Sequence, residues 1–121
     1  MLKSYQDLIV WQKSFQLSIR IFKITTFFPK SELYGLVSQM RRCAVSIPSN
    51  IAEGYTRGYR QEYIQFLKTA FASGAELETQ LLISKELGYL DLKNFEEVNN
   101  LLTEVQKMLN KLIFSLKNPK P

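Results

Sequence analysis

The sequence contains no histidine and a single cysteine in 121 residues. Without histidine, the commonest general base and the commonest metal ligand are missing. Histidine-dependent triads and the usual zinc sites are excluded, as are the Glu-x-x-His pairs of ferritin-like bundles. A lone Cys43 excludes an internal disulfide, and its place on an apolar helical stripe predicts a small buried thiol in a reducing cytoplasm. Long apolar runs are also missing. The longest uncharged stretch, Cys43 to Ala52, is ten residues, and a membrane-spanning helix needs about 20. Charges at Lys3, Asp7 and Lys13 break up the N-terminus, so no secretory signal is expected. There is no phosphate-binding glycine loop and no nucleophile motif. Glu53, Glu76 and Glu78 are the only candidates for acid–base chemistry or a carboxylate metal site, and nothing else supports that role. The expectation is a non-enzymatic cytoplasmic protein without cofactor, metal or membrane contact.

What is present is charge, unevenly spread. The chain carries a net +5. Residues 1–60 hold nine basic and three acidic side chains, residues 61–106 three and eight, and residues 107–121 four and none. A basic surface of this kind suits a polyanion, and the acidic centre equally suits complementarity with another protein or another copy.

Proline, glycine and apolar period divide the chain into four helices, expected at about 7–28, 31–57, 60–87 and 91–116, with a disordered tail over 117–121. Ser31 and Asp91 read as N-caps and Gly88 as a C-terminal glycine. The fourth helix alternates steps of three and four through Phe95, Val98, Leu102, Val105, Leu109, Leu112 and Leu116. The third does so through Tyr63, Leu67, Ala70, Gly74, Leu77 and Leu81, the second through Leu33, Leu36, Val37, Met40, Ala44, Ile47, Ile51 and Tyr55. Short connections then predict an all-α, up-down-up-down antiparallel four-helix bundle within a single domain, residues 1–116.

The first helix is apolar on two sides. Leu8, Trp11, Phe15, Ile19 and Phe22 form one face, and Val10, Leu17, Ile21, Ile24 and Phe28 the other. One face suffices for a monomeric bundle, so the second predicts an oligomer interface. Val10, Leu17, Ile21, Ile24 and Phe28 are assigned to it.

The second helix contains Pro48, which frees the carbonyl of Ala44 and predicts a kink. Ser46, Ser49 and Asn50 are small enough to bond freed backbone groups. A polar stripe on this helix, with carboxylates from the third, predicts a network of Arg42, Ser46, Asn50, Glu53, Glu76 and Glu78. Lys13, Arg20, Lys23, Arg41, Arg42, Arg57 and Arg60 are the candidate phosphate contacts, with Tyr55 or Tyr59 stacking on bases.

The stretches LIVWQKSFQLSIRIFKIT, FPKSELYGLVSQMRRCAVSIPSNIAEGYTRG and EYIQFLKTAFASGAELETQLLISKELGYL resemble the four-helix-bundle family of 23S ribosomal RNA intervening-sequence proteins. SIPSNIAEG with the preceding QMRR is the most specific part. The resemblance implies a ring-shaped homopentamer, with a fold similar to the accessory variability protein of diversity-generating retroelements, a basic pentamer that binds reverse transcriptase and nucleic acid. Matching positions are Gln39, Arg41, Arg42, Ser46, Pro48, Asn50, Glu53 and Gly54, then Glu76, Leu77 and Glu78, none of them catalytic in the family. Cys43 stands where alanine is usual, and Gly74-Ala75 where a bulkier apolar pair is common. Two functions follow as expectations. One is an oligomer binding RNA or DNA, ribosomal RNA included. The other is a protein-interaction or scaffold module, such as a reverse transcriptase partner, without nucleic-acid contact.

Overall fold

Connections of a few residues force successive helices to run antiparallel, and that is the arrangement found. The computed structural model describes residues 2–120, so positions 1 and 121 of the expected domain and tail lie outside the described residues. Helices α1 (Ile9–Thr25), α2 (Ser38–Arg57), α3 (Arg60–Glu86) and α4 (Leu92–Lys117) are present, with no strand among the described residues. Helix α1 packs against α2 and α4, and α3 packs against the same two, so α1 and α3 stand diagonally.

The boundaries have local causes. Helix α2 ends at Gly58 with φ 83°, a left-handed turn that glycine adopts without a side-chain clash. Gly88, at φ 77°, closes the α3 turn in the same way. Asp91 caps α4 by accepting from the Asn94 amide at 2.7 Å. Ser31 is not a cap. It lies inside a 3₁₀ turn, Lys30–Glu32, followed by a π-helical turn, Leu33–Val37. Gly35 breaks that turn with non-helical dihedrals (φ −112°, ψ −106°), so α2 proper starts only at Ser38. The Glu32 carboxylate accepts instead from the Tyr89 hydroxyl at 2.9 Å. Helix α1 stops at Thr25, earlier than expected. Thr25 and Thr26 hydroxyls bond back to the Ile21 and Phe22 carbonyls, and Phe27 and Phe28 follow in a turn before Pro29.

The core uses the expected seams of α3 and α4, except that Ile64 and Ile113 are buried where Tyr63, Leu112 and Leu116 are only partly covered. For α1 the two faces are exchanged. Val10, Leu17, Ile21, Ile24 and Phe28, assigned to an interface, are all buried within this one chain. Phe15, Ile19 and Phe22 are instead 47, 43 and 41 % exposed. The reason is size. The inner face of α1 includes Ser14, Ser18 and Thr25, all buried, which let α1 lie close to α2. Their hydroxyls are satisfied by carbonyls one turn back, Trp11 for Ser14, Ser14 for Ser18 and Ile21 for Thr25, so burial leaves no polar atom stranded there.

Ser18 does more. Its hydroxyl is also within 2.7 Å of the Ala44 carbonyl, the group that Pro48 leaves without an intrahelical donor. The helix therefore runs unbroken from Ser38 to Arg57 with a buried proline inside it. The non-helical dihedrals of the second segment lie at Gly35, away from Pro48. Asn50 bonds Ser46 through both its carbonyl (2.7 Å) and its hydroxyl (2.9 Å), and Ser46 bonds the Ser73 hydroxyl of α3 at 2.9 Å. Gly54 finishes the contact. A Cβ there would sit 2.6 Å from Phe66 Cβ, so only glycine permits this α2–α3 approach.

Ser18→Ala strands the buried Ala44 carbonyl, so urea unfolding should show a loss of about 1–3 kcal/mol. In a Pro48→Ala background the restored amide satisfies that carbonyl, and the same serine change should cost clearly less. Equal costs in both backgrounds would show that the two sites are uncoupled. Burial, reinforced by a hydrogen bond with Glu76, pushes the Cys43 thiol up to about 11. The folded state holds that proton after the unfolded thiol has lost its own, so stability should fall as pH rises from about 9 to 11. Cys43→Ala should flatten this part of the profile, as read by urea midpoints at each pH.

Candidate nucleic-acid interface

Most of the expected phosphate contacts are already engaged within the chain. Lys13 pairs with Glu104 and Arg20 with Glu97, both at 2.8 Å, tying α1 to α4. Arg57 pairs with Glu53 at 2.9 Å and Glu62 at 3.5 Å, which raises its pKa. The Arg41 guanidinium donates to the Thr25 hydroxyl at 3.0 Å and the Phe22 carbonyl at 3.4 Å, and lies 4.9 Å from the Phe22 ring centre. Exposed pairs of this kind are weak and screened by solvent, so they dull these charges without abolishing them. Lys23 shares a recess with Asp91. Arg42 and Arg60 are exposed and have no ion-pair partner among the described residues.

These seven residues do not converge. Lys23 is in the last turn of α1 and Arg57 in the last turn of the antiparallel α2, at opposite ends of the bundle. The expected polar network also divides. Ser46 and Asn50 join with Ser73, and Glu53 pairs with Arg57, while Glu76 turns toward Cys43. Arg42 and Glu78 form no hydrogen bond or ion pair among the described residues, although the Arg42 charge reaches Cys43. Of the two tyrosines, Tyr55 is half-buried edge-on to Tyr63 at 5.9 Å, with burial pushing the Tyr63 hydroxyl up to about 12. Tyr59 is 71 % exposed and open to stacking.

The cations that do converge are at the end formed by the start of α3 and the finish of α4. Arg60, Lys68 and Lys117 line one recess of about 160 Å³ together with Gln61, Ile64, Gln65 and Leu116. Lys68 and Lys117 share the lining of this recess, and the neighbouring Lys68 side chain lowers the Lys117 pKa. Lys111 lies nearby on α4, over an apolar groove formed with Leu8, Ile9 and Met108. The acid-free run after Glu104 was the sequence signal for this end, but placing Lys68 beside it required the α3–α4 packing.

A second surface is apolar. Trp11 stacks on Phe15 at 5.2 Å, and Ile19 and Phe22 continue the row along the outside of α1. Diagonally across the bundle, α3 exposes Leu82 and Ile83, with Leu87 just beyond its end. No group of three or more cysteine, aspartate or glutamate side chains is disposed to hold a metal ion among the described residues. No helix among them is long and apolar enough to cross a membrane.

No curated protein matches the chain. Among solved structures, a protein of unknown function from the S23 ribosomal protein family of Bacteroides thetaiotaomicron is similar, with a TM-score of 0.81 and 27 % identity. The match covers 87 % of this chain and 95 % of that one. The family model of the 23S rRNA-intervening sequence protein matches residues 6–111, which include all of α1 to α3 and most of α4. The chain belongs to the 23S rRNA-intervening sequence protein family.

Proposed function

We propose that this protein is a non-enzymatic, self-assembling bundle that binds nucleic acid by phosphate contacts at its basic end. The observation that carries this reading is the convergence of Arg60, Lys68 and Lys117 in one recess without a carboxylate among them. The acid-free run of Lys107, Lys111, Lys117 and Lys120 extends the same sign of charge along α4 and beyond it. Contacts of this kind are driven by counterion release and carry little base readout. The exposed Tyr59, one residue from Arg60, is a stacking surface for an unpaired base.

Self-assembly is supported by the outer row of α1. An aromatic and aliphatic row of this length seldom stays in water. The second exposed apolar group, at the far end of α3, is on the opposite side of the bundle. Two different patches on opposite sides make a head-to-tail contact, which closes into a ring when the rotation allows. The α1 row also favours a second reading, a scaffold whose row is covered by another protein and which never touches nucleic acid.

Light scattering should give a mass several times that of one chain. A Phe15→Asp, Ile19→Asp pair should reduce it to a single chain with helical content intact. A wild-type monomer at high concentration would favour the scaffold reading. Wild-type protein should bind single-stranded RNA with a log–log salt slope near −2, about 0.7 for each of roughly three phosphates. No binding at low salt would remove the nucleic-acid reading.

A further inference from the structure

The Arg60–Lys68–Lys117 recess has a shape and charge that an extended strand does not need. Its cations come from two helices, Arg60 and Lys68 from α3 and Lys117 from α4, 49 or more positions further along the chain. No acidic side chain stands one turn from Lys68 or Lys117 to neutralise them. The positions one turn from Lys68 are Ile64, Gln65, Phe71 and Ala72, and those one turn before Lys117 are Ile113 and Phe114. None is acidic, so the usual one-turn ion pair is unavailable. Lys117 suits the carboxyl end of α4, but that does not explain Lys68 beside it in the same recess. Two like charges held together repel, and a shared anion between them removes the repulsion.

The recess is small and has an apolar side. Ile64 and Leu116 line it beside the amides of Gln61 and Gln65. At about 160 Å³ it is a small recess with one side open to solvent. That suits one tetrahedral group and its hydrogen bonds. An internal phosphodiester carries one negative charge and is flanked by chain on both sides. A phosphate monoester carries nearly two above its second pKa of about 6 and presents a free end. Three converging cations attract the dianion about twice as strongly as the monoanion at the same distance.

We propose that the recess of Arg60, Lys68 and Lys117 is a binding site for a phosphate monoester, occupied by the phosphorylated end of a nucleic-acid strand. The choice of strand rests on the proposed function; the phosphate chemistry does not. Gln61 and Gln65 donate to the phosphate oxygens at its rim, and Lys68 and Lys117 bracket it.

The test uses the full chain and one internally labelled 12-nucleotide RNA in three forms: 5′-phosphorylated, 3′-phosphorylated and hydroxyl at both ends. Fluorescence anisotropy at pH 7.5 reads the affinities. At least one phosphorylated form should bind about tenfold more tightly than the hydroxyl form. A Lys68→Gln, Lys117→Gln pair should abolish that preference, so that the phosphorylated and hydroxyl forms bind equally and both more weakly than to the wild type, while leaving the melting temperature unchanged. Inorganic phosphate should weaken the phosphorylated form more than the hydroxyl form and should shift the Gln61 and Gln65 amide resonances. Equal affinity for all three strands overturns the end-binding site and leaves the proposed function standing. Phosphate-induced shifts without any strand binding overturn the strand as occupant and the proposed function, and support a site for a small phosphate. No response to either overturns both.

Discussion

A proline buried in the middle of a helix leaves one carbonyl without its partner, and in an apolar interior that vacancy has to be filled. Here Ser18 fills it from the neighbouring helix, at 2.7 Å from the Ala44 carbonyl. The contact requires α1 to approach α2 closely, so the inner face of α1 must be lined by small residues at Ser14, Ser18 and Thr25. That requirement rotates the bulky side of α1 outward. One missing N–H in α2 is thereby linked to the aromatic row exposed on α1, and so to the surface we assign to self-assembly.

The most distinctive stretch of the sequence, SIPSNIAEG, is accounted for largely by packing. Ser46 and Asn50 join α2 to Ser73 of α3, Pro48 engages Ser18, and Gly54 admits Phe66. Glu53 pairs with Arg57 at the helix end. A string that looks like an active-site motif is here a set of instructions for packing α2 against α1 and α3. The chemistry that faces solvent lies elsewhere, where the residues look ordinary in sequence.

The four helices, most of the seams of α3 and α4, the Asp91 cap and the Gly88 turn were legible because each depends on residues within a turn or two. The exchanged faces of α1 were not. Hydrophobicity favours Trp11, Phe15 and Phe22 for the interior, but the interior is won by whichever face can approach its neighbour, and serines look like surface until their hydroxyls are paired. The break at Gly35 was hidden for a similar reason, since a glycine one turn after a serine cap reads as an ordinary helix position. For the candidate site, Arg60 was legible as a cation. Its convergence with Lys68 and Lys117 was not, because it depends on how α3 and α4 align. Lys13, Arg20, Arg41 and Arg57 were equally visible as charges, and only the packed structure shows them engaged with partners.

That alignment has its own determinant. The Gln106 side-chain amide occupies the space a Cβ at position 74 would take, and it donates to the Phe71 carbonyl at 2.9 Å. A slip of α4 by one turn, about 5.4 Å, would set Gln106 against Ala70 or Glu78, where a side chain already stands. Gly74 thus works as a notch and Gln106 as its pawl, and the axial position they select is the one that brings Lys117 level with Lys68.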